Sequence, residues 1–165
     1  ILEHPTTYTA GIRSEQKDIF DKKIEIIKTS RGGKITLHNP GQKIVYFVLN
    51  LNKRKKDIRN LLNIIENSVI QFLAIYKIKS RADKKNIGIW VKDRKISAIG
   101  IRVKRWIAFH GCSINIYNDL SKYKKINPCG LDNKKITSLK NLGIIQPKLV
   151  NQNLKEIFLK NLSQI

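Results

Sequence analysis

Apolar residues crowd into short β-branched runs along most of the chain and switch to helical spacing only twice. Ile24 to Lys28 reads as a strand, Arg31-Gly32-Gly33 as a turn and Lys34 to His38 as the return strand. Asn39-Pro40-Gly41 then stops that strand with a strong turn signal. Gln42 to Asn50 carries Ile44, Val45, Phe47, Val48 and Leu49, the pattern of a largely buried strand. Ile1-Leu2 reads as the end of a strand already under way.

After the basic link Lys53 to Lys56, Asp57 is placed to cap a helix. Ile58, Leu61, Leu62, Ile65, Val69, Phe72, Leu73 and Tyr76 follow at helical spacing and predict one apolar face that packs on a sheet. A meander comes next: Ile87 to Val91, Ile96 to Val103, Trp106 to Phe109 and Ser113 to Tyr117, with Asp93-Arg94 as a hairpin turn. Connections this short require antiparallel pairing. Asn127-Pro128-Cys129-Gly130 is a loop, and Thr137 or Ser138 caps a short helix ending at Gly143. Leu154, Ile157, Phe158 and Leu162 predict a final amphipathic helix. Strands cluster instead of alternating with helices, so the class is α+β, with a largely antiparallel sheet.

The chain has 165 residues, which fits one domain over 1–165, and 41% of them are hydrophobic, which favours a folded globular chain over disorder. No apolar run reaches the roughly 18–20 residues of a membrane span. The start lacks a basic and an apolar region, so it is no signal peptide, and it lacks Met. With the strand-like Ile1-Leu2, this gives the expectation that an N-terminal segment is missing. Two cysteines, Cys112 and Cys129, make neither a disulfide framework nor a zinc set, and fit a reducing cytoplasm.

The net charge is +21, from 33 Lys and Arg against 12 Asp and Glu, which raises a nucleic-acid-binding reading. The charge is spread along the chain and accompanied by abundant Ile and Asn, as AT-rich codons produce, so a solvated surface outweighs that reading. An acidic protein partner, steered by a basic rim, is the third possibility.

Cys129 sits between Pro128, which fixes the turn, and Gly130, which lets backbone approach a substrate. A thiol near its ordinary pKa of about 8.5 needs a base or cation to act as a nucleophile. His38, His110 and any neighbouring lysine qualify on local grounds, and a lone cysteine is also a common small core residue. Ala98 and Gly100 are small residues inside a strand, from tight packing or from room for a ligand. Arg31-Gly32-Gly33 with Thr36, His38 and Gly41 is either a glycine hairpin or a phosphate cradle, and is not a Walker motif.

In order, Glu3-His4-Pro5 with Thr9 and Gly11, Arg31-Gly32-Gly33 through His38 to Pro40-Gly41-Gln42, Arg81-Ala82-Asp83, Lys95-Ile96 to Gly100, Phe109-His110-Gly111 with Asn115, Asp119-Leu120, and Pro128-Cys129-Gly130 resemble the lipoyl(octanoyl) transferases of lipoate biosynthesis. The likeness runs from residue 1 to about Leu139, and the family's N-terminal segment has no counterpart. It implies the fold shared with biotin and lipoate protein ligases, a mixed sheet with helices on one side. It also implies transfer of an octanoyl or lipoyl group from acyl carrier protein to an enzyme cysteine, then to a lysine of a lipoyl domain. The acceptors would be the lipoyl domains of 2-oxoacid dehydrogenase complexes and the glycine cleavage H protein.

By the resemblance, Cys129 carries the acyl group and Lys95 lowers the thiol's pKa and shuttles its proton. Arg31, Gly32, Gly33, Lys34, Ile35, Thr36, Leu37 and His38, then Ala98, Ile99 and Gly100, then Gly111, Cys112 and Ser113, match the segments lining the acyl pocket. No cofactor, metal, membrane or nucleic acid is implied, and the enzyme is expected to be a cytoplasmic monomer. Asn39 stands where glycine is usual, and an asparagine tolerates φ > 0 at a turn. Cys112 and Ser113 replace an apolar residue and alanine, which puts a second thiol beside the pocket. An ATP-dependent lipoate or biotin protein ligase of the same fold is the nearest rival. Such an enzyme needs no nucleophilic cysteine, so Pro128-Cys129-Gly130 argues against it.

Overall fold

The computed structural model describes residues 1–128 and 135–165. The strands divide into two sheets. In the smaller, β1 (Thr7–Ala10) lies between β2 (Ile26–Lys28) and β3 (Ile35–His38), parallel to β2 and antiparallel to β3. The larger is antiparallel throughout, with β4 (Gln42–Asn50), β5 (Arg81–Ala82), β6 (Ile89–Val91), β7 (Arg94–Lys104) and β8 (Ile107–Asn115) in the order β4-β8-β7-β6-β5. Helices α1 (Ile58–Ile75) and α2 (Val150–Leu162) complete the α+β architecture, and neither is long and apolar enough to cross a membrane.

Helix α1 follows from its sequence. The Asp57 carboxylate accepts from the Asn60 N–H at 2.9 Å and so satisfies one of the free donors of the first turn. Leu61, Ile65, Val69, Phe72 and Leu73 fall on one stripe and are fully buried. The helix stops where Lys77 turns left-handed at φ +59, letting the Ile78 N–H reach back to the Leu73 carbonyl at 3.2 Å. Against this stripe pack Val45, Ile89, Ile96, Ala108 and Ile114 from the large sheet, and Leu154 and Phe158 from α2. A polar clamp joins the helices: the Asn161 amide donates to Ser68 Oγ and to Gln71 Oε1, each at 3.0 Å. A second, smaller core of Tyr8, Ile35, Leu37, Tyr123 and Ile126 lies under the small sheet.

Four expectations change. Arg31-Gly32-Gly33 is not a hairpin turn, because β2 and β3 flank β1 and do not pair with each other. The two runs Trp106 to Phe109 and Ser113 to Tyr117 are largely one strand, β8, which continues through His110-Gly111. Gly111 is what lets it continue: a Cβ there would collide with the Val45 carbonyl of β4. The short helix expected before Gly143 is one 3-10 turn, Lys140–Leu142, with Ser138 Oγ accepting from the Asn141 N–H at 3.3 Å. Asn39 is not among the residues at positive φ. It is buried instead, donating to the Asp119 carbonyl at 2.9 Å and accepting from the Asn118 amide at 3.0 Å.

Candidate active site

Between the two sheets lies a cavity of about 360 Å³. Its floor comes from Ala98 to Gly100 of β7 and His110 to Ser113 of β8, with Ile44 and Tyr46 of β4 beside them. Its roof comes from Thr7 and Thr9 of β1, Ile27 of β2, and Thr36 and His38 of β3, closed by Thr29 and by Arg31 to Lys34. Strand alternation divides the segment Arg31 to His38. Lys34, Thr36 and His38 line the cavity, whereas Ile35 and Leu37 point away and are fully buried in the small core. All other residues expected along an acyl pocket line this one space.

Arg31 fixes the wall. Its guanidinium donates to the Thr9 carbonyl at 2.7 Å, to Thr9 Oγ1 at 2.9 Å, to the Lys34 carbonyl at 2.8 Å and to the Gly32 carbonyl at 3.0 Å. Its donors hold backbone together, so a phosphate-cradling role for this loop finds no support in the geometry. The Lys34 ammonium turns toward Glu15 at 2.9 Å and Asp18 at 3.4 Å.

The polar tips in the cavity are mostly satisfied within the fold. His38 Nδ1 sits 2.7 Å from Gln42 Oε1, and burial pushes its imidazole down to about 4, so it is neutral at physiological pH. His4 Nε2 bonds Tyr46 Oη at 2.9 Å. His110, held at φ +68, bonds Ser30 Oγ through Nε2 at 3.1 Å, and burial together with the charges of Arg31 and Arg102 lowers its pKa. Cys112 is buried and free, and burial pushes its thiol up to about 12. It is therefore protonated and inert, a small wall residue.

A second, small cavity of about 20 Å³ adjoins the first through three shared residues, Thr36, Ala98 and Ser113. On its other side it is lined by Lys95, Pro128, Tyr123 and Ile136. Lys95 thus stands at the start of β7, 7% exposed, three residues before Ala98, where the strand begins to line the large cavity. Cys129 lies outside the described residues, but Pro128, its neighbour in sequence, is buried against the same small space as Lys95. The chain after the loop returns to the same place: Ile136 bridges Lys95, and the Thr137 N–H donates to the Lys95 carbonyl at 2.9 Å.

Beneath this junction runs a buried polar network that sequence reasoning did not anticipate. The Gln42 amide donates to Asn115 Oδ1 at 2.8 Å and to Tyr123 Oη at 3.1 Å, and the Asn115 amide donates to the Thr137 carbonyl at 2.9 Å. Side-chain amides inside a strand pattern were the available signal, since buried amides demand partners. Ile44 and Tyr46 were also missed as lining residues, because their strand reads simply as core. Among the described residues no group of His, Cys, Asp and Glu could hold a metal ion.

Residues 1–163 match the lipoyl protein ligase A/B catalytic domain family. An octanoyltransferase of Wolbachia sp. subsp. Brugia malayi is 43% identical over 165 residues, covering 96% of this chain and 80% of the relative. One of Bartonella tribocorum is 42% identical over 157 residues, covering 87% of this chain and 64% of its own length. Among solved structures, lipoate-protein ligase A bound with ATP superposes with a TM-score of 0.79 at 15% identity, over 98% of this chain and 70% of that one. Biotin protein ligase of Aquifex aeolicus in complex with biotin and ATP does so with 0.62 at 15% identity, over 94% and 70%. The fold is therefore that of the lipoate and biotin protein ligases, and the chain belongs to the lipoyl protein ligase A/B catalytic domain family, alongside its octanoyltransferases.

Proposed function

We propose that residues 1–165 form one octanoyltransferase catalytic domain that acts in lipoate biosynthesis through a Cys129 thioester. The observation that carries this reading is the joining of an acyl-sized, largely apolar cavity to a small space shared by Lys95 and Pro128. The donor is the octanoyl thioester of an acyl carrier protein, and the acceptor is a lysine of a lipoyl domain.

In the first step the Cys129 thiolate attacks the donor carbonyl, and the donor's thiolate leaves and takes up a proton. In the second, the acceptor amine attacks the Cys129 thioester, loses a proton, and the Cys129 thiolate leaves. In this reading the Lys95 ammonium favours the Cys129 thiolate by opposite charge and passes its protons. Each unit of pKa lowering is about 1.4 kcal/mol of preference for the charged thiol. Exchange between two thioesters is nearly isoenergetic and amide formation is downhill, so ATP has no step to drive.

The eight-carbon chain extends from the small junction along Ala98 and Gly100 into the large cavity. Its burial contributes roughly 0.8 kcal/mol per CH₂. The test is transfer from octanoyl carrier protein to a lipoyl domain without ATP, read as an octanoyl amide on the acceptor lysine. Transfer that Cys129→Ser abolishes supports the reading. Transfer only when ATP and free octanoate are supplied makes the protein a ligase instead.

A further inference from the structure

The Arg81-Ala82-Asp83 motif lies outside both cavities, yet its contacts lead to Lys95. Asp83 Oδ1 accepts from the backbone N–H groups of Lys85 at 2.9 Å and Asn86 at 2.8 Å, while Oδ2 meets Arg81 at 3.2 Å. This turn fixes the Asn86 carbonyl, which accepts from Trp90 Nε1 at 3.0 Å. The indole is thereby pinned at its polar edge, and the ring is 5% exposed. Lys95 Nζ lies 5.8 Å from the centre of that ring, within the range of a cation–π contact.

The space the lysine occupies is shaped from the other side by Gly88. Its φ of +139 is open to glycine and strained for other residues. A Cβ there would collide with Lys95 Cε and the Ser97 carbonyl. Among the described residues, every ion pair lies elsewhere. The aromatic face and the glycine gap flank the ammonium.

We infer that Asp83 and Trp90 are positioning residues for Lys95: the motif holds the turn, the turn holds the indole, and the indole holds the ammonium in its place at the start of β7. This rests on the dyad of the proposed function. An indole attracts a cation more strongly than a phenyl ring, and an aliphatic side chain has no ring face to attract one. Trp90→Leu therefore frees the ammonium, whereas Trp90→Phe keeps a ring face but gives up the Nε1 bond to the Asn86 carbonyl and retains part of the contact.

Two measurements test this on the intact protein. The first is the chemical shift of the Lys95 ε-methylene protons, which a ring face displaces upfield. The displacement is expected in the wild type, reduced in Asp83→Asn, and absent in Trp90→Leu. The second is the pH profile of Cys129 alkylation by iodoacetamide, localised by mass spectrometry. Trp90→Leu is expected to slow alkylation at pH 7 by roughly two- to fivefold, and Trp90→Phe to fall between it and the wild type. An unchanged methylene shift in Trp90→Leu overturns the inference, as does an unchanged alkylation profile or an equal loss in the Leu and Phe variants. If both readouts respond as expected but no octanoyl transfer occurs in the wild type, the proposed function fails and the positioning of Lys95 stands.

Discussion

Gly100→Val tests whether the large cavity is the acyl slot. Gly100 lies on its floor, and a Cβ there would stand 3.3 Å from Arg31 Cδ and 3.4 Å from the Gly32 carbonyl. Arg31 cannot easily yield, because its guanidinium is held by Thr9, Gly32 and Lys34. The added carbons therefore take space from the cavity. Valine suits an extended strand, so the fold should tolerate it. If the branched side chain excludes two methylenes of the substrate, the loss is about 1.6 kcal/mol at roughly 0.8 kcal/mol each. That is roughly a fifteenfold fall in kcat/KM for octanoyl carrier protein, with hexanoyl carrier protein little affected. Competition between the two donors gives the ratio directly. An unchanged ratio, with the variant folded, would place the acyl chain elsewhere and refute the assignment of this cavity.

Lys95→Arg keeps a cation but brings a planar fork into a gap shaped by Gly88, so octanoyl transfer should fall sharply; an unaltered pH–rate profile would remove Lys95 from the mechanism. Gly88→Ala should lower stability by about 1–3 kcal/mol and slow Cys129 alkylation together, which urea unfolding and mass spectrometry would report. His38 is held down at about 4 from an ordinary 6.5, so its contribution to stability is present above pH 6.5 and is lost as pH falls toward 4. The wild type should therefore lose up to about 3 kcal/mol more than His38→Gln between pH 7 and pH 4, and parallel losses would contradict the buried neutral imidazole. Cys112, with its thiol pushed up to about 12, should stay unalkylated in the folded protein and react only in denaturant.

The legible parts of the fold were those where one period dominates. Helix α1 could be read from spacing and capping alone, because it buries a continuous stripe, whereas β4 keeps its predicted bounds but buries only Gln42, Ile44 and Val45 and leaves Tyr46 and Val48 exposed. Strand β1 could not: Thr7-Tyr8-Thr9-Ala10 carries little apolar signal, and it is held by neighbours on both sides and by the Arg31 fork. His110-Gly111 reads as a break because glycine usually interrupts a strand, and only the close approach of β4 shows why it sits inside one. In the candidate site, alternation separates Thr36 and His38 from Ile35 and Leu37, a distinction that a contiguous motif conceals. Lys95 is one lysine among many until β7, Gly88 and Trp90 single it out. The amide network through Gln42 and Asn115 joins residues far apart in the chain, so no local window reveals it.

The central claim is the acyl-enzyme on Cys129. The protein mixed with octanoyl carrier protein, in the absence of ATP, should gain the mass of one octanoyl group. Peptide mapping should locate it on Cys129 and not on Cys112, and hydroxylamine should remove it as expected for a thioester. No mass gain, or a gain that appears only with ATP and free octanoate, would contradict the account.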